Sequence, residues 1–456
     1  MLIKNGILAF EDGVREADVR VEADTIAEIA TQLAAYEGEQ VIDAGGKVIM
    51  PGGIDVHTHM DLNLGVVSAS DDFYTGTVAA ACGGTTTIVD HMGFGPRGCS
   101  ISHQVETYHQ LAQGKAVVDY SFHGVLDHVD DAILNELKKL IDDGITSHKF
   151  YLTYEGRISD AEVEMLMGRT SELGVMLTVH AEDDSMITGL RKKYSGEASP
   201  LYHALSRPAE SEALAVERMI QCAGRTGKPP LYIVHLSSGL GLRSIQKARR
   251  SGQKNIYAET CPQYLLLDES LYSREDGLKY VMSPPLRSAN DREALWGGIK
   301  TGDIDTIATD HCPFFYGCEK QLGKGDFAKT PGGIPGVEAR IPLMLSQIAA
   351  GRLSMEELVS LCCTNPARLF GIYPKKGVIA VGSDADIVVV DPSVKKTLTH
   401  EILHENTDYT PYECLPLQGY PAMTISRGEI IAQNGNFIGE KGRGRFLKRS
   451  LPTIES

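Results

Sequence analysis

Two histidines separated by one residue end an apolar segment of the chain. His57 and His59 belong to the run 55–59, Asp-Val-His-Thr-His. If this run is a β-strand, both imidazoles project from the same face, because side chains alternate along a strand. Two imidazoles on one face can bind a metal ion, and a pair of hydrogen-bonded structural histidines has the same spacing. The motif alone leaves both interpretations open.

Three further apolar runs end in a residue type that binds metals. Runs 177–180 (Leu-Thr-Val-His) and 232–235 (Tyr-Ile-Val-His) end in His180 and His235, and run 306–310 (Thr-Ile-Ala-Thr-Asp) ends in Asp310. Core packing explains one buried histidine more readily than four histidines and an aspartate at strand ends. Imidazole and carboxylate together favour zinc, with manganese or iron as alternatives.

Lys149 ends another such run, 145–149, Ile-Thr-Ser-His-Lys. An unpaired ammonium is costly to bury, and it would repel metal cations. One interpretation is a structural lysine in an ion pair. The other is a lysine with a lowered pKa that reacts with carbon dioxide to form a carbamate, whose two oxygens can bridge two metals.

The elements that carry these residues follow a repeating pattern after Pro51. Short β-branched runs alternate with longer helical patterns, which predicts a parallel sheet of the (β/α)8 barrel type. In such a barrel the carboxyl ends of the strands form the active-site face, so the metal-binding residue types would converge there. The predicted strands are residues 53–58, 86–90, 117–122, 147–152, 176–180, 231–235, 255–260 and 306–310.

Amphipathic stretches at 130–143, 159–173 and 208–225 predict helices between these strands. In the second stretch, Ser159 is a candidate N-cap and Glu162, three positions later, would complete a capping box.

Strand-and-turn patterns at both ends predict a second, smaller β-sandwich domain built from both termini. Residues 1–50 read as an antiparallel β unit. Further on, 377–391 predicts two strands joined by a Gly-Ser-Asp turn, and 423–432 predicts a hairpin. The predicted division is residues 1–50 and 377–438 for the sandwich, 51–376 for the barrel and 439–456 for a basic, Gly-rich tail. The tail is either a solvated arm or a segment that packs on a neighbouring subunit.

The composition limits the class of partner. A net charge of -16 disfavours nucleic acids, since a negative field repels phosphates. No apolar run is long enough to span a bilayer, and no signal peptide is recognisable at the N-terminus. The nine cysteines contain no CxxC pair, which favours reduced thiols and a cytoplasmic location.

The whole pattern resembles the cyclic amidohydrolases of the amidohydrolase superfamily, in the hydantoinase/dihydropyrimidinase branch, with the bacterial D-phenylhydantoinases most similar. The resemblance spans nearly the entire chain. Its metal ligands correspond to His57, His59, Lys149, His180, His235 and Asp310. Supporting stretches are 81–87 (Ala-Cys-Gly-Gly-Thr-Thr-Thr), 90–96 (Asp-His-Met-Gly-Phe-Gly-Pro), 202–208 (Tyr-His-Ala-Leu-Ser-Arg-Pro), 259–264 (Glu-Thr-Cys-Pro-Gln-Tyr), 283–287 (Ser-Pro-Pro-Leu-Arg), 309–313 (Thr-Asp-His-Cys-Pro) and 382–386 (Gly-Ser-Asp-Ala-Asp).

The resemblance implies a site for two divalent metal ions, with Lys149 carbamylated to N6-carboxylysine between them. Two metals lower the pKa of water enough to supply a hydroxide nucleophile near neutral pH. Asp310 is then the expected general base. The implied ligands are His57, His59, Lys149 and Asp310 for the more buried metal, and Lys149, His180 and His235 for the other.

By similarity, three further residues contact the substrate. Tyr154 would stabilise the developing oxyanion. Ser283 would hold the cyclic imide or ureide through its main chain. Gly332 falls where relatives often carry asparagine, so any contribution from an asparagine side chain is missing here.

The expected reaction is hydrolysis of D-5-aryl hydantoins, such as phenylhydantoin, to N-carbamoyl amino acids. Dihydroorotase-like enzymes place an arginine two positions after the second histidine, where this chain has Asp61, so dihydroorotate is disfavoured. Apolar loop residues either anchor the loops or accept a bulky 5-substituent. These residues are Leu64, Val66, Phe94, Tyr151 and Leu152.

Several alternatives remain open. Dihydropyrimidinase and allantoinase activities belong to the same branch. Non-catalytic scaffold proteins share the fold and have lost metal ligands, whereas all six positions here keep suitable residue types. A mononuclear deaminase is disfavoured by Lys149 at a ligand position. The family also implies a homotetramer that acts on small cyclic ureides.

Overall fold

The computed structural model describes residues 1–453. Three β-sheets are built from nineteen strands in that part of the chain. The strands are β1 Leu2–Lys4, β2 Ile7–Phe10, β3 Gly13–Glu16, β4 Asp18–Glu22, β5 Thr25–Ala30, β6 Val41–Asp43, β7 Val48–Pro51, β8 Gly53–Thr58, β9 Thr85–His91, β10 Asp119–Leu126, β11 Ser147–Tyr151, β12 Met176–His180, β13 Leu231–Ile233, β14 Ile256–Thr260, β15 Thr306–Ile307, β16 Ile387–Thr397, β17 Pro416–Ser426, β18 Glu429–Gln433 and β19 Asn436–Phe437.

Thirteen α-helices occur in the same range, most of them between strands of the largest sheet. They are α1 Thr75–Cys82, α2 Ile101–Ala112, α3 Asp131–Asp142, α4 Asp160–Leu173, α5 Asp184–Lys193, α6 Leu201–Ser206, α7 Ala209–Arg225, α8 Gly239–Arg250, α9 Pro262–Leu266, α10 Ala289–Lys300, α11 Arg340–Ala349, α12 Met355–Val359 and α13 Asn365–Leu369. The predicted helices correspond to α3, α4 and α7. The capping box of α4 is confirmed, because the Ser159 side chain and the Glu162 side chain each accept from the other's backbone N–H.

Strands β8 to β15 form one parallel sheet in sequence order. The sheet closes where Thr58 pairs with His311 in a parallel bridge and the His59 N–H donates to the His311 carbonyl at 2.9 Å. This arrangement confirms the predicted (β/α)8 barrel. Strand β11 ends one residue earlier than predicted, and β13 and β15 end two and three residues earlier, at Ile233 and Ile307. The last two end early because the backbone of the following His235 and Asp310 has φ of 39° and 55° and leaves the extended conformation.

Strands from both ends of the chain form the other two sheets, in the orders β5-β4-β1-β6 and β19-β18-β17-β16-β7-β2-β3. Their inner faces share one apolar cluster that includes Ile3, Val19, Leu8 and Ile387. The predicted β-sandwich built from both termini is therefore confirmed. The exact boundaries near residues 50, 376 and 438 stay predictions.

Two details of the sandwich differ from the sequence analysis. The N-terminal unit is not purely antiparallel, because β1 pairs with β6 and β2 with β7 in parallel. The prediction of two strands in 377–391 is wrong, because only the part from Ile387 onward is extended in β16. The preceding residues instead turn back toward β5, where Thr25 bridges to Asp384. The hairpin predicted at 423–432 is confirmed by the pairing of β17 with β18.

The described part of the tail, residues 439–453, packs on the barrel of its own chain. Tyr120 on β10 donates its N–H to the Arg445 carbonyl at 3.0 Å and accepts from the Leu447 N–H at 2.7 Å. Arg449 is buried and donates from Nε to the Ser121 hydroxyl at 2.9 Å. The interpretation as a solvated arm is thus wrong for these residues, and packing on a neighbouring subunit stays a prediction.

A buried ionic cluster joins the barrel to the sandwich. The Lys376 ammonium lies 2.7 Å from Asp119 on β10, 2.9 Å from Asp384 and 2.8 Å from Asp386. Arg427, after β17, donates from Nε to Asp119 at 3.1 Å. Because these carboxylates are shielded from water, the two cations are needed to offset their mutual repulsion.

All nine cysteines are free thiols, and six of them are buried. Among residues 1–453, no helix is both long and apolar enough to cross a bilayer.

We expect Lys376→Met to lower the free energy of unfolding by about 3–5 kcal/mol, because it leaves three buried carboxylates without their shared cation. Chemical unfolding followed by circular dichroism measures the change. Lys375→Met is the matched control, since Lys375 is exposed and adjacent. Equal stabilities for the two variants would contradict a stabilising role for the cluster.

Candidate metal centre

A cavity of about 550 Å³ opens at the carboxyl ends of the barrel strands. The structure brings every residue that the sequence analysis assigned to the site into the lining of this cavity. They are His57, His59, Lys149, Tyr154, His180, His235, Ser283, Asp310 and Gly332. Six different βα units contribute them, so the cluster depends on closure of the whole barrel.

Asp310 lies between the two histidines of the first motif. Its Oδ1 is 3.0 Å from His57 Nε2 and 3.1 Å from His59 Nε2. Burial alone would raise the pKa of Asp310, but the charge of His57 and hydrogen bonds from both imidazoles hold that pKa well below its usual range. Asp310 is therefore an anion that faces into the cavity.

His180 and His235 form a second pair across the cavity. His180 Nδ1 lies 2.9 Å from His235 Nε2. Burial lowers the pKa of both imidazoles, that of His235 well below its ordinary value. Both are thus available as neutral nitrogen ligands, the form in which histidine binds metals.

Lys149, on β11, is 1% exposed. Within residues 1–453 its ammonium has no hydrogen bond or ion pair shorter than 4 Å, and its Nζ lies 5.4 Å from the centre of the Tyr151 ring. Burial lowers the pKa of Lys149 to about 8, against the opposing effect of Asp310 and Glu259. The interpretation of Lys149 as a structural lysine in an ion pair is therefore wrong for the described residues.

Three residues of the site have positive φ angles, a backbone conformation that residues other than glycine rarely adopt. The φ angles are 55° at Asp310, 39° at His235 and 75° at Tyr154. Each such residue costs of the order of 1–3 kcal/mol, and such strain concentrates at functional sites. All three of these side chains line the cavity.

The donor set fits a bound cation. Ligand atoms of His57, His235 and Asp310 lie within 4.8 Å of one another, as do those of His57, His59 and His91. His59 Nδ1 is buried and has no hydrogen-bond partner in the described chain. Buried imidazole nitrogens without partners beside a carboxylate are the arrangement that a zinc, manganese or iron ion would satisfy.

Two buried glutamates form hydrogen bonds with the imidazoles of the site. The sequence analysis assigned a role to neither. Glu259 accepts from His57 Nδ1 at 2.6 Å, from the His235 N–H at 2.8 Å and from the Tyr232 hydroxyl at 2.9 Å. Glu182 lies 2.7 Å from His180 Nε2 and also binds Arg207. Carboxylates of this kind fix the orientation of metal-binding histidines.

A sequence signal for Glu259 existed. It lies near the end of a predicted strand, as the ligand candidates do, and in one of the stretches that carry the family resemblance. His91 was also passed over. It ends β9, and its ring centre lies 4.3 Å from that of His57 with the two planes tilted by 50°. Both of its nitrogens are buried and have no partner in the described residues.

Tyr154, Ser283 and Gly332 surround the part of the cavity beside His180. The Tyr154 ring centre is 5.1 Å from that of His180 and 4.9 Å from the guanidinium carbon of Arg207. A methyl group at Gly332 would lie 3.4 Å from the Ser283 hydroxyl, so the two segments run side by side. Burial raises the pKa of Tyr154, which therefore keeps its proton at neutral pH.

The apolar loop residues divide into two groups. Leu64, Phe94 and Tyr151 line the cavity. Leu152 packs in the core instead, and Val66 is 89% exposed outside the lining, so their prediction as contacts for a substituent is wrong.

Asp61 is also outside the cavity lining, where it accepts from the Phe73 N–H at 3.0 Å. Its charge therefore does not act directly on a ligand, and only the missing arginine argues against dihydroorotate.

Comparison with known proteins gives a consistent result. Residues 48–431 match the model of the amidohydrolase family. A D-phenylhydantoinase of Escherichia coli O1:K1 is 48% identical over 452 residues, 98% of each chain. A dihydropyrimidinase structure from Brevibacillus agri NCHU1002 is similar with a TM-score of 0.97 and 40% identity, covering 100% of this chain and 99% of its own. A D-hydantoinase structure from Bacillus sp. AR9 has a TM-score of 0.96 and 41% identity, with 100% of both chains covered.

We expect Glu259→Gln to weaken zinc binding about 10- to 100-fold, because the carboxylate that orients His57 and the end of β13 is lost. Competition with a chromophoric chelator measures the affinity. Glu269→Gln, at an exposed glutamate, is the control. Unchanged zinc affinity in Glu259→Gln would remove this carboxylate from the support of the site.

Proposed function

The chain belongs to the amidohydrolase family, and we propose that it hydrolyses the cyclic amide bond of 5-substituted hydantoins to N-carbamoyl amino acids. The observation that carries the proposal is the meeting of four histidines, Asp310 and a buried Lys149 in one cavity. The names of the D-phenylhydantoinase and D-hydantoinase relatives support D-5-aryl hydantoins as substrates.

The ligand assignment follows the two groups of side chains in the cavity. His57, His59 and Asp310 would hold one divalent metal, His180 and His235 a second, and Lys149 would contribute to both. When bound, the two ions, zinc or else manganese or iron, lower the pKa of a water molecule and polarise the substrate carbonyl. Lys149 must carry a negative group to join them.

The surroundings of Lys149 support carbamate formation. Its lowered pKa of about 8 makes the neutral amine accessible near neutral pH. The amine nitrogen adds to carbon dioxide, an N–C bond forms and one proton leaves, which gives an anionic carbamate with two oxygens. The exchange of a buried ammonium for an anion beside cations removes the electrostatic penalty of the unmodified lysine.

Asp310 is the residue positioned to move a proton. Its carboxylate faces the cavity and is ionised, so it can accept the proton of the attacking water. The water oxygen bonds to the carbonyl carbon, the ring C–N bond breaks, and Asp310 returns the proton to the leaving nitrogen.

Three residues would bind and orient the substrate. The Tyr154 hydroxyl would donate to the carbonyl oxygen as negative charge develops there. The main chain at Ser283 and Gly332 would hold the imide or ureide edge of the ring. Leu64, Phe94 and Tyr151 would contact the 5-substituent and exclude water.

Dihydropyrimidinase activity is the second candidate, because a solved relative of nearly identical fold bears that name. Allantoinase activity is a further alternative within the same branch. A panel of D- and L-5-phenylhydantoin, dihydrouracil, allantoin and dihydroorotate separates them by kcat/KM. We expect the D-phenylhydantoin value to be highest; failure to hydrolyse every cyclic amide in the panel would contradict the proposal.

The partners proposed for the chain are small cyclic ureides. We also propose a cytoplasmic homotetramer, from the family resemblance; light scattering of the purified protein tests the assembly. Metal analysis tests the remaining alternatives: two metals per chain support the hydrolase, one supports a deaminase and none supports a scaffold.

Lys149→Ala is expected to lower kcat at least about 1000-fold, because it removes the side chain that would contribute to both metals. Metal content per chain, measured by plasma mass spectrometry, should fall as well. Lys138→Ala, at an exposed lysine, is the matched control. A Lys149→Ala variant with full metal content and normal turnover would exclude the carbamate.

A further inference from the structure

Lys320 is a completely buried lysine that the mechanism above does not use. It lies in a short 3₁₀ helix, Glu319–Gly323, in the loop between β15 and α11, with an exposed fraction of 0%. Its ammonium has no carboxylate partner in the described chain. Methionine or leucine would fill the same buried volume without the desolvation free energy of an amine. The contacts of the Lys320 ammonium therefore have to offset this free energy.

The Lys320 Nζ donates to two backbone carbonyls from different parts of the chain. One is Val281, at 2.7 Å, and the other is Pro331, at 2.9 Å. Val281 lies two residues before Ser283, and Pro331 immediately precedes Gly332. The ammonium thus joins the two segments to which the proposed function assigns the substrate main-chain contacts.

A backbone hydrogen bond also joins these two segments. The Gly333 N–H donates to the Val281 carbonyl at 3.1 Å, so that carbonyl accepts from both Gly333 and Lys320. Beside this link, Gly332 faces Ser283 across a space that a methyl group would fill at 3.4 Å. Without Lys320, the Pro331 carbonyl would lose this partner, and the two segments would lose one of the polar links between them.

The charge of Lys320 is not essential to this link. Burial lowers the pKa of Lys320 to about 7, and the Cys312 thiol is the titratable group that opposes the shift. A neutral amine still has two N–H donors, which match the two carbonyls. The link therefore persists on either side of neutral pH.

We propose that Lys320 is a positioning residue for substrate binding: it fixes the distance between the Ser283 and Gly332 segments and so shapes the edge that holds the cyclic ureide. The proposal rests on the proposed function, because it concerns the recognition of that substrate. Lys320 does not touch the reacting atoms, so its effect belongs to KM and not to the chemical step.

Lys320→Met in the metal-loaded protein tests the proposal, since methionine has similar volume and no donor. We expect KM for D-5-phenylhydantoin to rise about tenfold or more, from two lost hydrogen bonds, while kcat falls less than about threefold. Metal content should equal that of the wild type. A KM within twofold of the wild type, or a loss confined to kcat, would overturn the proposal.

Lys324→Met is the matched control, because Lys324 is an exposed lysine on the same loop; its KM should not change. If Lys320→Met fails to fold, Lys320→Gln takes its place: this side chain stays polar, but its stem is one bond shorter, so its amide nitrogen cannot reach both carbonyls. A KM increase of at least about threefold in that variant supports the proposal, and an unchanged KM overturns it.

The wild-type measurement separates the two proposals. If the wild type hydrolyses no cyclic ureide in the panel, the proposed function fails before Lys320 is tested. If it hydrolyses D-5-phenylhydantoin and Lys320→Met retains the wild-type KM, only the role of Lys320 fails.

Discussion

The site depends on the hydrogen bonds that the buried Glu259 carboxylate accepts. One of its oxygens accepts from His57 Nδ1 and from the backbone N–H of His235, which links the first barrel strand to the segment after β13. The Tyr232 hydroxyl binds the other oxygen. A single buried anion thus sets the direction in which the remaining nitrogen of His57 faces the cavity, and Glu182 does the same for His180.

These anions also determine the balance of charge beneath the cavity. Imidazoles, Lys149 and carboxylates lie close together and are largely buried, so each group shifts the pKa of its neighbours. Glu259 and Asp310 outweigh burial and raise the pKa of His57 to about 9. The same proximity keeps Asp310 ionised. Strained backbone at Asp310 and His235 is held by the closed barrel, and both side chains line the cavity.

The sequence was sufficient for the barrel and for the group of residues at its rim, because strand-end positions converge once the topology is known. It was insufficient for details that depend on tertiary contacts. The sequence pattern around Glu259 and His91 does not distinguish a residue that supports the site from a residue of the core. Residues 377–386 have strand-like composition, yet the Lys376 cluster and the bridge at Asp384 impose a turn. The basic tail looked solvated because its buried partner, β10, lies more than 300 residues earlier.

The packing of residues 445–449 against β10 affects the order in which the chain can fold on the ribosome. The third barrel strand is translated more than 300 residues before its outer neighbours, and the sandwich likewise needs strands that lie far apart in the sequence. Folding of the barrel during synthesis is therefore incomplete until residues 445–449 leave the exit tunnel. Until then the nascent barrel exposes the apolar surface around Tyr120 and Phe122 that Phe446 later covers.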